Sequence, residues 1–529
     1  MGRTALGLVG RGFDTIVMPS LKEPLKATDC ISCGQCINLC PTGALGEKFT
    51  YGKRVPLASD CTETTCSFCS VGCKTVLHTN ENLVAKSTPV DEKTLCSKGR
   101  FGFGKLIGKD RLTTPLVRKN GVLTPVSYEE AAIYTAKKLQ GFAVRNGKDS
   151  VAVSISDKLT TEEIYLAKKY AEDVVNAGSV FCFNYSKNGV KDVIGFDGST
   201  VTETEVLSAN VIVLVGTDLM NDHASFGVTV RQAVKRGAKL VVINNKPQSQ
   251  EAKEADIFVN ADSTESLKAI LKTLVEKGCT AEGIDALNVS LKDTVVTDDA
   301  LKVCEMLLDK NNKKAVIVTD QFNTSYECAK AAADIAVLSG HIGSPRDGII
   351  QIKTNVNTQS VADFGITPSC LVKDKFADGT IKALLTIGEN PVNFDLEKVE
   401  FVAVCDTYLT ETAQKADVVI PLVSLIESNG TVISTDGKVN SVNAAIKPMA
   451  KLNAEVISLL ANAMTAKFSY NDEKDIMREI VETKAFAPKA LNTVLQPVDN
   501  APIYVARINT NAAVQKFNSV LESEGLSNK

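Results

Sequence analysis

Eight cysteines in two runs set the chemistry available to this chain. The first run is Cys30-Ile-Ser-Cys33-Gly-Gln-Cys36-Ile-Asn-Leu-Cys40-Pro41, a C-x2-C-x2-C-x3-C-P pattern. The second is Cys66-Ser-Phe-Cys69-Ser-Val-Gly-Cys73, closed by the distant Cys96 in a C-x2-C-x3-C-x22-C pattern. Thiolates are soft ligands, and sets of four select iron–sulfur clusters or zinc. In the first run a tight loop aims three thiolates and several backbone N–H groups at one cluster, and Pro41 ends the loop. In the second, one compact triplet plus one remote cysteine suits the corners of a cubane. Structural zinc usually takes two CxxC knuckles, and a zinc knuckle is the alternative at this second site. The spacings predict two [4Fe-4S] clusters, one on Cys30, Cys33, Cys36 and Cys40, the other on Cys66, Cys69, Cys73 and Cys96.

The fourth ligand of the first cluster has three candidate sources. In two-cluster ferredoxins the last cysteine of each run ligates the other cluster, and only one such run is present. Cys40 closes the same cluster, or Cys61 supplies the ligand, or a partner chain carries the missing half; Cys40 is preferred. Lys98 and Arg100 follow Cys96 and place positive charge beside an anionic cluster, where charge and hydrogen bonds tune potential. His78 reads as a strand residue, and His223 and His341 as turn or helix-end residues. Cys182, Cys279, Cys304, Cys328, Cys370 and Cys405 are scattered and read as small buried hydrophobes.

The composition excludes several classes. Of 15 cysteines, nine lie before residue 100, which is metal-site clustering inside a 529-residue chain and not a disulfide scaffold. A net charge of −3 gives no pull toward nucleic acid, and the lack of Trp removes a common base-stacking platform. No run approaches the ~18 apolar residues of a membrane span, and the N-terminus has neither an apolar h-region nor paired arginines. The expected location is cytoplasmic.

The elements that must position these residues alternate in type after Arg100. Ser127 with Glu130, and Thr160 with Glu163, have capping-box spacing and start helices. Val151–Ser156, Asn210–Val215, Gly237–Ile243, Ala315–Thr319, Ala383–Ile387 and Val402–Cys405 are short apolar runs. Strand, helix and strand between 210 and 245 form a βαβ crossover, which implies a parallel sheet. Strand C-ends in such sheets face the ligand crevice, and here they carry Gly216-Thr-Asp218, Asn244-Asn245, Gly388-Glu-Asn-Pro391 and Asp406-Thr-Tyr408. No GxGxxG opens any of these units. A further helix is expected near Asn511–Ser523.

Taken with these motifs, the chain resembles the molybdopterin oxidoreductase superfamily. The resemblance runs through the Cys66–Cys96 pattern with Lys98-Gly99-Arg100-Phe101-Gly102, Arg111-Leu-Thr-Thr-Pro115, Leu338–Pro345, Ile387–Pro391 and Thr410–Pro421. It is similar in particular to the α subunit of NAD-dependent formate dehydrogenases and the large iron–sulfur subunit of NADH dehydrogenase. The implied fold class is α/β. A ferredoxin-like [4Fe-4S] segment (1–57) and a [4Fe-4S] domain (58–110) precede two Rossmann-like parallel-sheet domains, one of 111–181 plus 355–485 and one inserted at 182–354. Residues 486–529 form a tail.

Four departures shape the expected function. The upstream [2Fe-2S] and first ferredoxin portions of the NAD-linked members look absent, as does the C-terminal domain that clamps the pterin dinucleotides. Where formate dehydrogenases place a Cys or selenocysteine metal ligand followed by His, this chain aligns Lys187 and Asn188. Lys353 aligns with the substrate-facing arginine. Lys98 is kept where formate dehydrogenases hold a lysine between cluster and pterin. The resemblance therefore implies an electron-transfer subunit with two [4Fe-4S] clusters and no catalytic residues of its own, and molybdopterin guanine dinucleotide is expected to be absent. The expected partners are a flavin- and NAD(H)-binding iron–sulfur subunit, a chain carrying the missing ferredoxin half and [2Fe-2S] domain, and ferredoxin. The alternatives are a catalytic formate dehydrogenase-like subunit and a scaffold whose clusters only staple the fold.

Overall fold

The computed structural model describes residues 5–19, 22–28, 30–47, 59–90, 94–103, 108, 110–392, 394–505 and 507. The helix expected near 511–523 lies outside them. Strands β1 (Gly7–Val9) and β2 (Ile16–Met18) form an exposed antiparallel hairpin. Helix α1 (Gln35–Leu39) carries Cys36, with Cys30 and Cys33 before it and Cys40 at its C-terminal cap. Strands β3 (Asp60–Thr65), β4 (Lys74–Asn80) and β5 (Leu83–Pro89) make a three-stranded antiparallel sheet, and α2 (Ser97–Phe101) follows Cys96.

Next come β6 (Leu116–Lys119), β7 (Val122–Pro125), helix α3 (Tyr128–Asn146), β8 (Val151–Ile155), helix α4 (Thr161–Lys169) and β9 (Ser179–Cys182). The capping spacings are realised. Thr160 and Glu163 bond reciprocally in a full capping box. Ser127 accepts from Glu130 N–H, while the Glu130 carboxylate turns away to Lys119 at 2.8 Å.

Strands β10 (Val211–Val215), β11 (Lys239–Asn244), β12 (Ile257–Asn260), β13 (Ala315–Asp320) and β14 (Gly348–Ile352) form an all-parallel sheet in the order β12-β11-β10-β13-β14. The chain then returns to the first α/β unit through β15 (Thr367–Pro368), β16 (Ala383–Ile387), β17 (Phe401–Asp406) and β18 (Val418–Pro421). The eight-stranded order is β15-β9-β8-β16-β17-β18-β6-β7, parallel as far as β18 and antiparallel at the β6-β7 edge. A last hairpin, β19 (Gly430–Ile433) and β20 (Val439–Val442), packs beside the cluster domain.

The central strands β8, β10, β13 and β16 are buried along their whole length. That is why they read as unbroken apolar runs: helices cover both faces of a parallel sheet. Each sheet reverses its strand order once, between β8 and β16 and between β10 and β13, and the crevice at such a reversal is where ligands of open α/β sheets sit.

At the first reversal the Glu389 carboxyl, following β16, is fully buried. It accepts Phe183 N–H at 3.0 Å and lies 3.4 Å from the Cys182 thiol, tying the ends of β16 and β9 together. Burial pushes its pKa up to about 8 from near 4.5, and the Asp157 carboxylate adds to this. The folded chain therefore binds a proton there that the unfolded chain gives up more readily. This contribution to stability is complete below pH about 4.5 and is lost as pH rises through about 8. Glu389→Gln, which cannot ionise, is expected to lose less thermal midpoint than the parent between pH 6 and pH 9. Calorimetry of both across that range checks it; parallel curves would refute it.

Candidate iron–sulfur site

Cys66, Cys69 and Cys73 lie on the turn between β3 and β4, and Cys66 N–H donates to Cys73 C=O at 2.8 Å to close it. Cys96 sits at the start of α2. The four thiols line one pocket with Leu95, Gly99 and His223. Burial pushes the Cys66, Cys73 and Cys96 thiols up, and neighbouring thiolates add to the rise. At Cys69 burial acts in the same sense, but the His223 imidazole beside it outweighs this and holds the thiol below its usual value.

Among the described residues no group of three or more His, Cys, Asp or Glu side chains is spaced to hold a single metal ion. Four thiols lining one space supply the four corners a cubane needs. Their mutual repulsion is relieved by cationic iron, so the donor set fits a [4Fe-4S] cluster.

The cluster loop is seated over both reversals. Ser70 Oγ donates to Lys353 C=O at 2.7 Å and accepts Lys353 N–H at 3.1 Å, while Ser70 C=O accepts Thr435 N–H at 2.8 Å. Gly72 has φ +67°, and a Cβ there would meet the Ser434 side chain at 2.9 Å, so glycine is required twice over. His223, just past β10, lies 3.3 Å from Asp320 at the end of β13. Burial acts to lower its pKa, but Asp320 and Cys69 outweigh it and carry the imidazole to about 10. Lys158, past the end of β8, is brought down to about 8 by burial and acts on Cys66 and Cys69. Lys98 acts on Cys69 and Cys96.

His223 and Lys158 were not legible as site residues. A lone histidine before a helix and a lysine after a strand carry no local signal, and only the sheet topology brings them to Cys69.

The first loop is tight: Ser32 (φ 53°) and Gly34 (φ 69°) both turn left-handed. A Cβ on Gly34 would meet Arg100 Nε at 2.8 Å. Arg100 thus lies against the back of the loop, held by Glu47 at 2.5 Å and by Ser87 C=O at 2.6 Å, with both charged side chains buried. Gln35 Nε2 donates to Thr94 Oγ1 at 2.9 Å as a second tie. The Cys36 thiol is raised by burial and by Cys33 and Cys30. Cys40 is held at about 7, chiefly by the Thr42 hydroxyl and then by the Leu45 N–H. Cys61, the other candidate ligand, is engaged by His78 Nδ1 at 3.3 Å.

The residues aligned with a metal pocket form a different arrangement. Lys187 turns outward, 3.9 Å from Asp192 and over the Tyr326 ring. Lys353 is wholly buried, pairs with Asp197 and donates to Gln351 Oε1 at 2.6 Å. Asn188 donates to Asp197 at 2.5 Å and to Gln351, and the Tyr185 hydroxyl donates to Asp197 at 2.5 Å. Beside this network a cavity of about 610 Å³ is lined by Lys187, Lys373 and Arg507 and by Phe183, Phe322 and Phe394.

Two cluster loops mounted on paired α/β sheets define an iron–sulfur protein of oxidoreductase type. The chain belongs to the molybdopterin oxidoreductase family, whose sequence profile matches residues 111–462. The family's Fe4S4 domain matches 60–106, and a 4Fe-4S binding domain matches 25–46. The probable oxidoreductase YjgC of Bacillus subtilis is 24% identical, over 86% of this chain and 58% of that one. The putative formate dehydrogenase YrhE of the same organism is 25% identical, over 82% and 52%. The F420-dependent formate dehydrogenase 1 subunit alpha of Methanococcus maripaludis is 25% identical, over 80% and 73%. The chain thus spans little more than half the length of the two Bacillus relatives. Acetylene hydratase from Pelobacter acetylenicus shares the fold, with TM-score 0.63 and 16% identity over 80% of this chain and 72% of that one. The α/β fold class with N-terminal iron–sulfur domains is as expected from the sequence. Among the described residues no helix is long and apolar enough to cross a membrane.

The family implies a molybdopterin. An outward lysine at 187 and an ion-paired lysine at 353 do not fit a metal held by a thiolate. The strand ends keep Thr217 Oγ1, Gln321 Oε1 and Asp406 Oδ2 buried without a hydrogen-bond partner, so capacity for a polar ligand remains. The expected absence of the pterin gains no support from the family matches.

Removing one partner of a buried ion pair strands the other charge. Lys353→Met is expected to cost about 3–5 kcal/mol, and adding Asp197→Asn to restore most of it. Denaturant melts of the parent, single and double variants check this; an additive double variant would refute it.

Proposed function

We propose that this chain is an electron-transfer subunit, holding one [4Fe-4S] cluster on Cys30, Cys33, Cys36 and Cys40 and a second on Cys66, Cys69, Cys73 and Cys96. The observation that carries the reading is the buried network in which Lys353 and Asn188, the residues aligned with a catalytic metal pocket, bond Asp197 and Gln351, with Tyr185 also on Asp197. Lys353, paired with Asp197 in the interior, is thereby taken up by its own neighbours rather than presented to a substrate anion.

Each cluster, when bound, takes up and releases one electron at a time. The protein does the rest. Buried walls keep water from Cys66, and Lys158, Lys98 and His223 set positive charge beside the second cluster. Arg100 spans from the second cysteine loop to the back of the first and fixes their separation. Leu8, Phe13, Ile16, Val17 and Leu39 are exposed on the N-terminal segment, and Leu39 adjoins Cys40. Such apolar exposure favours a partner chain at the first cluster. The partner in this reading binds flavin and NAD(H), and a ferredoxin half or ferredoxin meets the same face.

A second reading, a catalytic formate dehydrogenase-like subunit, is favoured by the cationic cavity beside Lys187 and by the names of the curated relatives.

Metal analysis of anaerobically purified protein decides between them. The first reading expects about eight iron atoms per chain, two [4Fe-4S] sets, with reduced EPR showing two interacting signals and no stoichiometric molybdenum or tungsten. Stoichiometric molybdenum or tungsten with formate-dependent dye reduction would replace it with the second.

A further inference from the structure

Three side chains outside the two cysteine sets proposed above touch one another across the three-stranded sheet, the third on a diagonal. Cys61 on β3 is paired in register with His78 on β4, and Thr88 lies beyond on β5. Cys61 Sγ is 3.3 Å from His78 Nδ1, and His78 Nε2 is 2.9 Å from Thr88 Oγ1. The thiol is exposed, while the imidazole is half-buried.

The two contacts suit one tautomer of His78. With Nε2–H donating to Thr88 Oγ1, the lone pair of Nδ1 faces the thiol. Burial, helped by the Lys86 and Arg100 cations, lowers the imidazole pKa and favours its neutral form, the form that can accept a proton. A nucleophile, an adjacent base and a third group that orients the base are the parts of an activated nucleophile.

We propose that Cys61 is an activated thiol that exchanges with low-molecular-weight disulfides, with His78 as its base and Thr88 as the positioning residue. The Cys61 proton passes to His78 Nδ1. The Cys61 sulfur bonds to one sulfur of the disulfide, the old S–S bond breaks, and the departing thiolate takes the proton. One disulfide and one thiol enter, and one mixed disulfide and one thiol leave, so no further oxidant is needed. These contacts end at Thr88, one residue from Ser87, whose carbonyl anchors Arg100 behind the first cysteine loop. An adduct at Cys61 would therefore lie on the sheet that supports both cysteine loops.

The test treats anaerobic, iron-loaded protein with glutathione disulfide and follows adducts by intact mass and peptide mapping, with cluster absorbance read in parallel. The expected result is a first adduct at Cys61, ahead of the other exposed thiol, Cys370. His78→Gln should slow that adduct at least about tenfold and leave Cys370 unchanged. Thr88→Val keeps the imidazole but frees its tautomer; it should slow the adduct severalfold, and it serves if His78→Gln fails to load iron. An unchanged Cys61 rate in an iron-loaded variant, or a parent in which Cys61 reacts no faster than Cys370, overturns the proposal. So does a Cys61 that reacts only after iron is stripped, since it would then be a cluster ligand.

Discussion

Lys353 holds the molecule together from both ends of the residue. Its backbone N–H and C=O are clasped by the hydroxyl of Ser70, between the second and third cysteines of the cluster turn. Its ammonium pairs with Asp197 in the interior. One residue at the end of β14 therefore fixes the cysteine turn above the inserted sheet and fills the space beneath it. The seat of the cysteine turn and the interior Lys353–Asp197 pair are one mechanical unit, and a shift in either is felt by the other.

The electrostatics follow from that seat. The four thiols repel one another as thiolates, and among the described residues Lys98 on α2 and groups the sheets deliver oppose them. Asp320 keeps His223 cationic at Cys69, while Lys158 stands opposite at the end of β8. Each comes from a different sheet, and each stands at the strand reversal, where an open α/β sheet normally receives an anionic ligand. The cluster thus draws on the same positive geometry that such crevices offer phosphates. The loop that carries it is short and glycine-bearing because the backbone must come close to Ser434 and to the Lys353 strand end.

The cysteine runs and the buried strands were legible for opposite reasons. A ligand set is local, so C-x2-C-x2-C-x3-C is a complete statement in eleven residues. A central parallel strand is apolar on both faces, so Val211–Val215 announces itself without context. Edge and return strands do not: Leu116–Lys119 and Thr367–Pro368 are half-polar and short, and they join the main sheet only because the chain comes back after the inserted unit. Helix Tyr326–Leu338, buried on nearly every face, lacks the polar stripe that marks a surface helix. His223 was read as a helix-end residue, which it is, since it precedes Ala224–Lys235. Its second role, between Asp320 and Cys69, depends on contacts spanning 97 and 154 residues of chain, and no spacing rule encodes those.

The interior network also bears on why position 353 holds lysine. An arginine offers five donors in a rigid planar fork suited to a carboxylate arriving from outside. Lysine offers three donors about a single point. Two of them are met by Asp197 and Gln351, and Asn188 and Tyr185 complete the hydrogen bonding of Asp197. The lysine and its carboxylate are thus met from within, and burial lowers the lysine pKa against the attraction of Asp197. Swapping the pair for apolar residues would cost little energy in general, but Lys353 also sets the strand end that Ser70 clasps. A greasy replacement free to choose its rotamer would not fix that end in the same way. What the buried charge contributes is therefore position, and the position it fixes is that of the cysteine turn.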